Sequence, residues 1–198
     1  MMKQNLDWQQ RNIAYRETRH SIHGKELRWL ISRERILNQA TGQALTRSFI
    51  RHPGIAVIVP FWNADSIILL RQYRYAINDE LWELPAGTLA GREENHRIAA
   101  AEAPEICAAR ELIEETGFAA NHLEKIAECY AIPGSGDELM HFYVAFDLQK
   151  REQCLEVGEI ISEVKAFTMA EVEAMIDDGE IRDAKTLIGL FYALRRKA

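Results

Sequence analysis

Residues 104–118 read PEICAARELIEETGF, and the fold is decided here. Pro104 suits the first position of a helix, where its missing N–H is not needed. Gly117 suits the left-handed residue that closes one, so a helix is predicted over 104–116. On it Glu111 and Glu115 lie one turn apart and point the same way, with Glu114 beside them. Like charges at that spacing repel. Arg110 offsets Glu114 at i+4 but leaves Glu111 and Glu115 uncompensated. Three glutamates alone would read as a solvated helix face. The other use of such a cluster is to hold a hard divalent cation, because Mg²⁺ and Mn²⁺ take oxygen ligands.

Working upstream, LWELPAG (81–87) reads as a short strand ending in a Pro-Ala-Gly turn, whose backbone carbonyls can face the same cation. SIILLRQYR (66–74) and GIAVIVPF (54–61) are strands by their β-branched and apolar content, joined as a hairpin through Asn63–Asp65. His52-Pro53-Gly54 breaks the chain. Before it, ALTRSFIR (44–51) and the partly alternating run from Leu27 to Leu37 form a strand pair around the turn QATGQ. Residues 1–23 are polar and carry no clear assignment. Downstream, strands are expected near 126–132 and 140–148, separated by PGSGDE, and near 163–169. Helices are expected over 169–179 and 184–197. The mixture predicts an α+β fold, an α/β/α sandwich with a mixed sheet between helices. Residues 1–50 form a small N-terminal β subdomain and 51–198 the main domain.

The chain has 198 residues, 47% of them hydrophobic, enough for one sizeable core. Its net charge of −6 argues against a nucleic-acid partner, which usually meets a basic surface. Cys107, Cys129 and Cys154 are isolated and odd in number, which suits a reducing compartment. The first residues lack an apolar leader, and IAVIVPFW is far too short to span a membrane. A cytoplasmic protein with no membrane partner is the expectation. The six histidines show no metal-ligand spacing.

RELIEETGF (110–118) resembles the end of the Nudix box, G-x5-E-x7-R-E-U-x-E-E-x-G-U, with U apolar. Arg110, Glu111, Leu112, Glu114, Glu115, Gly117 and Phe118 all match in register. RQYRYAINDELWELPAG (71–87) is similar to the ADP-ribose pyrophosphatase branch of that family, and the likeness extends over roughly residues 50 to 190. One departure stands out. Twenty-two residues separate Gly87 from Arg110, nine more than the pattern has. Glu93 keeps the spacing from Gly87; Glu102 keeps the spacing to Arg110 and leads into the helix. Glu102 is the favoured first box glutamate, with the insertion placed in a loop around 91–100, where extra length is tolerated.

The resemblance implies a metal-dependent hydrolase, with Mg²⁺ or Mn²⁺ held by Glu111, Glu115, Glu102 and the Ala86 carbonyl, and with Glu114 completing or orienting the shell. A general base is expected from the late loop CLEVGEIISEV, with Glu159 first and Glu156 second. Arg74 is the expected phosphate or base contact, Arg71 a weaker one, and Glu138 of PGSGDE a ribose contact. The aromatic residues Trp62, Tyr73, Tyr75 and Trp82 are expected near the site. The substrate expectation is ADP-ribose, split to AMP and ribose 5-phosphate. Another NDP-sugar such as GDP-mannose, or a dinucleotide, is the runner-up. A non-catalytic nucleotide sensor is the alternative of another class. A homodimer joined through residues 1–50 is also expected.

Overall fold

The structure, a computed structural model, describes residues 8–19, 29–38, 40–94 and 97–196. The chain divides into two compact units. One comprises Gly54–Leu89, Glu102–Cys129 and Met140–Ala198; the other comprises Met1–Pro53, Ala90–Ala101 and Tyr130–Leu139.

The larger unit is a mixed sheet covered by helices on both faces. Its strands include β4 (Ile55–Asn63), β5 (Ser66–Arg74), β6 (Asp79–Glu83), β7 (Ala86–Thr88), β10 (Phe118–Tyr130), β11 (Leu139–Lys150) and β12 (Ile161–Thr168), in the order β10-β11-β4-β5-β12. β6 pairs with β5, and β7 pairs with β4. β4 runs parallel to β11 from Ile55–Met140 to Pro60–Ala145, and antiparallel to β5 through Phe61–Ile67 and Asn63–Ser66, which is the expected hairpin. Residues Ala56 to Val59 are fully buried because both faces of this strand are covered. Ala56 and Ile58 face one helix, α1 (Pro104–Thr116), together with Tyr143, Ala145 and Leu112. A Cβ at Gly189 of α3 (Ala184–Arg196) would meet Leu84, Phe142 and Val59, so α3 lies on the opposite face. The α/β/α layering therefore follows from a period-two strand presenting alternate side chains to two helices.

Local chemistry sets the helix ends. Pro104 occupies the first turn of α1, and Gly117 at φ 72° donates its N–H to the Ile113 carbonyl. That left-handed residue turns the chain straight into β10, so the strand begins at Phe118, eight residues before the apolar stretch that suggested it. α2 (Met169–Asp177) opens with a capping box between Thr168 and Glu171.

The second unit is built on an antiparallel sheet of β1 (Trp8–Arg19), β2 (Trp29–Asn38) and β3 (Ala44–Arg51). The expected strand pair is β2 and β3. β1 falls in the polar stretch that carried no assignment from sequence. The insertion is not an open loop but a hairpin, β8 (Gly91–Glu94) with β9 (Arg97–Ala100). Its Ile98 is buried against Leu30. The hairpin's neck is closed where the Ala101 N–H reaches the Ala90 carbonyl at 2.7 Å. In the same unit Arg51 is buried and bonds Glu34 at 2.7 Å and Asp137 at 2.8 Å. Ser32 donates to the same Glu34 carboxylate at 2.5 Å, so no charge in this set is left without a partner.

Leu112 ties α1 to the sheet with no exposure to solvent. Leu112→Ala is expected to lower stability by about 2–5 kcal/mol, read from chemical denaturation.

Candidate active site

The glutamates of α1 meet the turn that comes after β6. Glu111 lies so close to Gly87 that a Cβ there would fall 1.8 Å from its carboxyl carbon. Only glycine lets the strand pass the carboxylate at this distance. One residue earlier, the Ala86 N–H donates to Glu115 at 2.8 Å. The turn is thus clasped by two carboxylates one helical turn apart, at 5% and 2% exposure.

Arg110 binds the neighbouring acids. It donates to Glu111 at 2.7 Å, to Glu114 at 2.8 Å, and through two nitrogens to Glu102 at 3.1 and 3.2 Å. Glu102 therefore joins the cluster through Arg110, whereas Glu93 belongs to β8 of the other unit. The loop after β11 closes over the end of α1. Gln153 donates to the Glu115 carbonyl at 2.5 Å and the Cys154 N–H to the Glu114 carbonyl at 3.1 Å.

Burial makes this cluster electrostatically expensive. Burial pushes the Glu111 carboxyl up to about 7, against the pull of Arg110, and the negative charges of Glu114 and Glu159 add to the rise. Glu115 stands well above the ordinary carboxylate range, first from burial and then from Glu111; the Ala86 N–H pulls the other way. Burial also drives the Cys107 thiol up to about 12, which makes it an inert core residue. Among the described residues no set of three His, Cys, Asp or Glu side chains converges as a ready-made ion cage. Arg110 stands among Glu102, Glu111 and Glu114 instead.

The late loop brings Glu159 within Coulombic reach of both Glu111 and Glu115. Glu159 also accepts the Glu156 N–H at 2.9 Å, so Glu156 contributes backbone to the position of Glu159. The two arginines of β5 separate. Arg74 acts on Glu115 and is gripped by Glu83 through two bonds of 2.7 and 2.6 Å. Burial works against its charge, and the Glu83 bonds more than restore it. Arg71, three positions away on a strand of period two, belongs to the opposite face and pairs with Glu80 at 3.2 Å. Glu138 lies in the second unit, 3.6 Å from His52. The four aromatic residues form no common wall. Trp62 packs on Phe118, Tyr73 on Tyr75 and Trp82 on Phe167.

Sequence reasoning passed over Glu83. It is fully buried and binds Lys185 as well as Arg74, and Lys185 also bonds Asp183 at 2.9 Å. The visible signals were an acid at the end of an otherwise apolar turn and an Asp-Ala-Lys-Thr start to a helix.

A NUDIX domain model matches residues 51–188. The chain belongs to the Nudix family. Three relatives are about one-third identical to it over the aligned residues. An ADP-ribose pyrophosphatase of Bacillus subtilis (strain 168) is 33% identical, over 79% of this chain and 80% of the relative. A methanol dehydrogenase activator of Bacillus methanolicus is 32% identical over the same shares. A GDP-mannose pyrophosphatase of Citrobacter koseri is 33% identical over 72% of this chain and 73% of its own length. A crystal structure of an ADP compounds hydrolase superposes with a TM-score of 0.67 at 21% identity, covering 94% of each chain, and shares the fold. This Nudix chain is a pyrophosphohydrolase, with the cluster on α1 as its candidate centre. No helix among its described residues is long and apolar enough to cross a membrane.

Gly87→Ala is expected to displace Glu111 and cut turnover at least about tenfold, since small misplacements at a reacting centre cost that much or more. Steady-state kinetics beside a circular dichroism spectrum would check that the fold survives.

Proposed function

We propose that this Nudix hydrolase splits ADP-ribose at its pyrophosphate, giving AMP and ribose 5-phosphate, with Mg²⁺ or Mn²⁺ as cofactor. The observation that carries the reading is the buried pair Glu111 and Glu115 against the Ala86–Gly87 turn, with Glu159 and Arg74 within Coulombic reach. The donor set fits a hard divalent cation. Two buried carboxylates, each held toward the neutral form by burial and by neighbouring acids, are relieved by a dication among them. Glu111, Glu115 and the Ala86 carbonyl would hold it, with Glu102 and Glu114 around them. Such a cation supplies neutralisation of the pyrophosphate charge and lowers the barrier to attack by water.

The chain's own groups do the rest. Glu159 takes the proton of the attacking water as its oxygen bonds to phosphorus and the anhydride P–O bond breaks. Arg74 keeps N–H groups beyond those given to Glu83, and these meet a phosphate oxygen. Arg110 fixes the rotamers of Glu102, Glu111 and Glu114 before substrate arrives.

The ADP-ribose pyrophosphatase relative favours ADP-ribose as substrate, and the GDP-mannose pyrophosphatases support a nucleotide sugar as the second reading. A panel of ADP-ribose, GDP-mannose, UDP-glucose, NADH and dGTP with Mg²⁺ separates them. ADP-ribose is expected to give the highest kcat/KM. Cleavage of none of them would turn the reading toward a nucleotide sensor. On the best substrate, Glu159→Gln is expected to lower kcat about 10²- to 10⁴-fold with little change in KM. A large effect from Glu156→Gln in its place would move the base to that residue.

The same reading includes a homodimer joined through residues 1–50. The three-stranded sheet supports it, because its outer strand β1 is an edge strand of the kind natural proteins cover. Light scattering is expected to give twice the chain mass; a mass of 22.7 kDa would mean a monomer.

A further inference from the structure

We propose that Lys185 and Thr186, in the first turn of α3, are positioning residues of the hydrolysis, acting through Glu83 on Arg74 and through Leu84 on the Ala86–Gly87 turn. The proposal rests on the reading that pyrophosphate is cleaved at the Glu111–Glu115 cluster.

Glu83 is the last residue of β6 and has no exposure to solvent. A carboxylate there needs cations of its own. Arg74 supplies Nε and Nη2, and Lys185 supplies its ammonium from 102 residues along the chain. Lys185 also bonds Asp183 at 2.9 Å, and Asp183 caps α3 by accepting the Thr186 N–H at 2.9 Å. Two carboxylates and two cations therefore balance. Removing Lys185 leaves Arg74 alone against Glu83 and Asp183, a net negative set beside the place where a pyrophosphate must approach. Arg74 would remain in position, yet its charge would be spent on Glu83. Lys185 does its work at a distance from substrate, because both carboxylates hold it and its side chain is 13% exposed.

Thr186 acts on the other side of the turn. Its hydroxyl donates to Asp183 at 2.7 Å and accepts the Leu84 N–H at 2.9 Å. Leu84 is followed by Pro85, then by Ala86, whose N–H holds Glu115. Proline has one soft backbone dihedral fewer than other residues, so an anchor at Leu84 carries to Ala86 with little slack. One hydroxyl thus adds an anchor from α3 to the strand pairing that holds the Ala86 backbone. Serine would serve as well; valine, of the same shape, would leave a buried N–H without an acceptor.

The two residues predict different losses. Lys185→Met should raise KM for the substrate about tenfold or more with a smaller change in kcat, and Lys185→Arg should recover most of the loss. Thr186→Val should weaken Mn²⁺ binding to the protein without substrate, measured by electron paramagnetic resonance, and lower kcat about tenfold, while Thr186→Ser recovers both. Thermal unfolding is followed for all four. Lower melting temperatures with KM and Mn²⁺ affinity unchanged would mean a structural role only and would overturn the proposal. If Lys185→Met does not fold, the Thr186 pair decides by the same criteria. Activity of the parent protein in the same assay reports on the hydrolase reading separately, and Mn²⁺ titration of Thr186→Val remains decisive whichever substrate proves correct.

Discussion

The structure turns on an unfavourable arrangement: two like charges, one helical turn apart, buried against a backbone turn. Nothing in helix propensity or packing asks for Glu111 and Glu115 at 5% and 2% exposure. Each is pushed toward its neutral form by burial first; Glu114 and Glu159 add to this at Glu111, and Glu111 and Glu159 add to it at Glu115. Much of the surrounding architecture manages that strain. Gly87 makes room for one carboxylate, and the Ala86 N–H partly compensates the other. Arg110 gathers the acids that remain, and the sheet and α1 supply the apolar packing that holds the helix down. Buried charges disfavoured in this way cluster at functional sites, because a site that binds a cation must first hold carboxylates where water would not leave them.

The Ala86–Gly87 turn is held on three sides. Strand pairing with β4 sets its register, with Ala56 opposite Gly87 and Val57 opposite Ala86. α1 presses on it through Glu111 and Glu115. α3 reaches it through the network of buried Glu83 and Thr186 with the partly buried Lys185 and Asp183. A site placed between helices on opposite faces of a sheet gains precision from the rigidity of both layers. The same geometry separates Arg74, which pairs with Glu83, from Arg71, which pairs with Glu80. Alternation along β5 sends the two side chains to opposite faces.

Much of this was legible in the sequence, for local reasons. Pro104 and Gly117 punctuate α1, so its bounds could be read to the residue. β5 was equally clear, because an apolar run ends in a polar tail. Helical spacing placed Glu111, Glu114 and Glu115 side by side, and the resemblance of the whole string gave that cluster its use. The misses have physical causes. β1 and the β8–β9 hairpin are polar segments whose strands are established by pairing, and pairing partners are not encoded locally. β10 begins in a mixed stretch where Gly117, which reads as a stop, also sets the direction of the strand after it. The Glu83–Lys185 contact joins positions 102 residues apart, beyond any periodic pattern. The separation of Arg71 from Arg74, by contrast, could have been foreseen from strand alternation.

The closed neck of the inserted hairpin has an evolutionary meaning. The Ala101 N–H meets the Ala90 carbonyl at 2.7 Å, so the chain leaves and returns at nearly one point. The segment between these residues is a detour with fixed endpoints. Lineages can lengthen it, trim it or rewrite it while α1 starts in the same place, since longer closed loops add little entropy. A change of length in this appendage therefore leaves the first turn of α1 where it is, and its cost falls on the packing of Ile98 against Leu30.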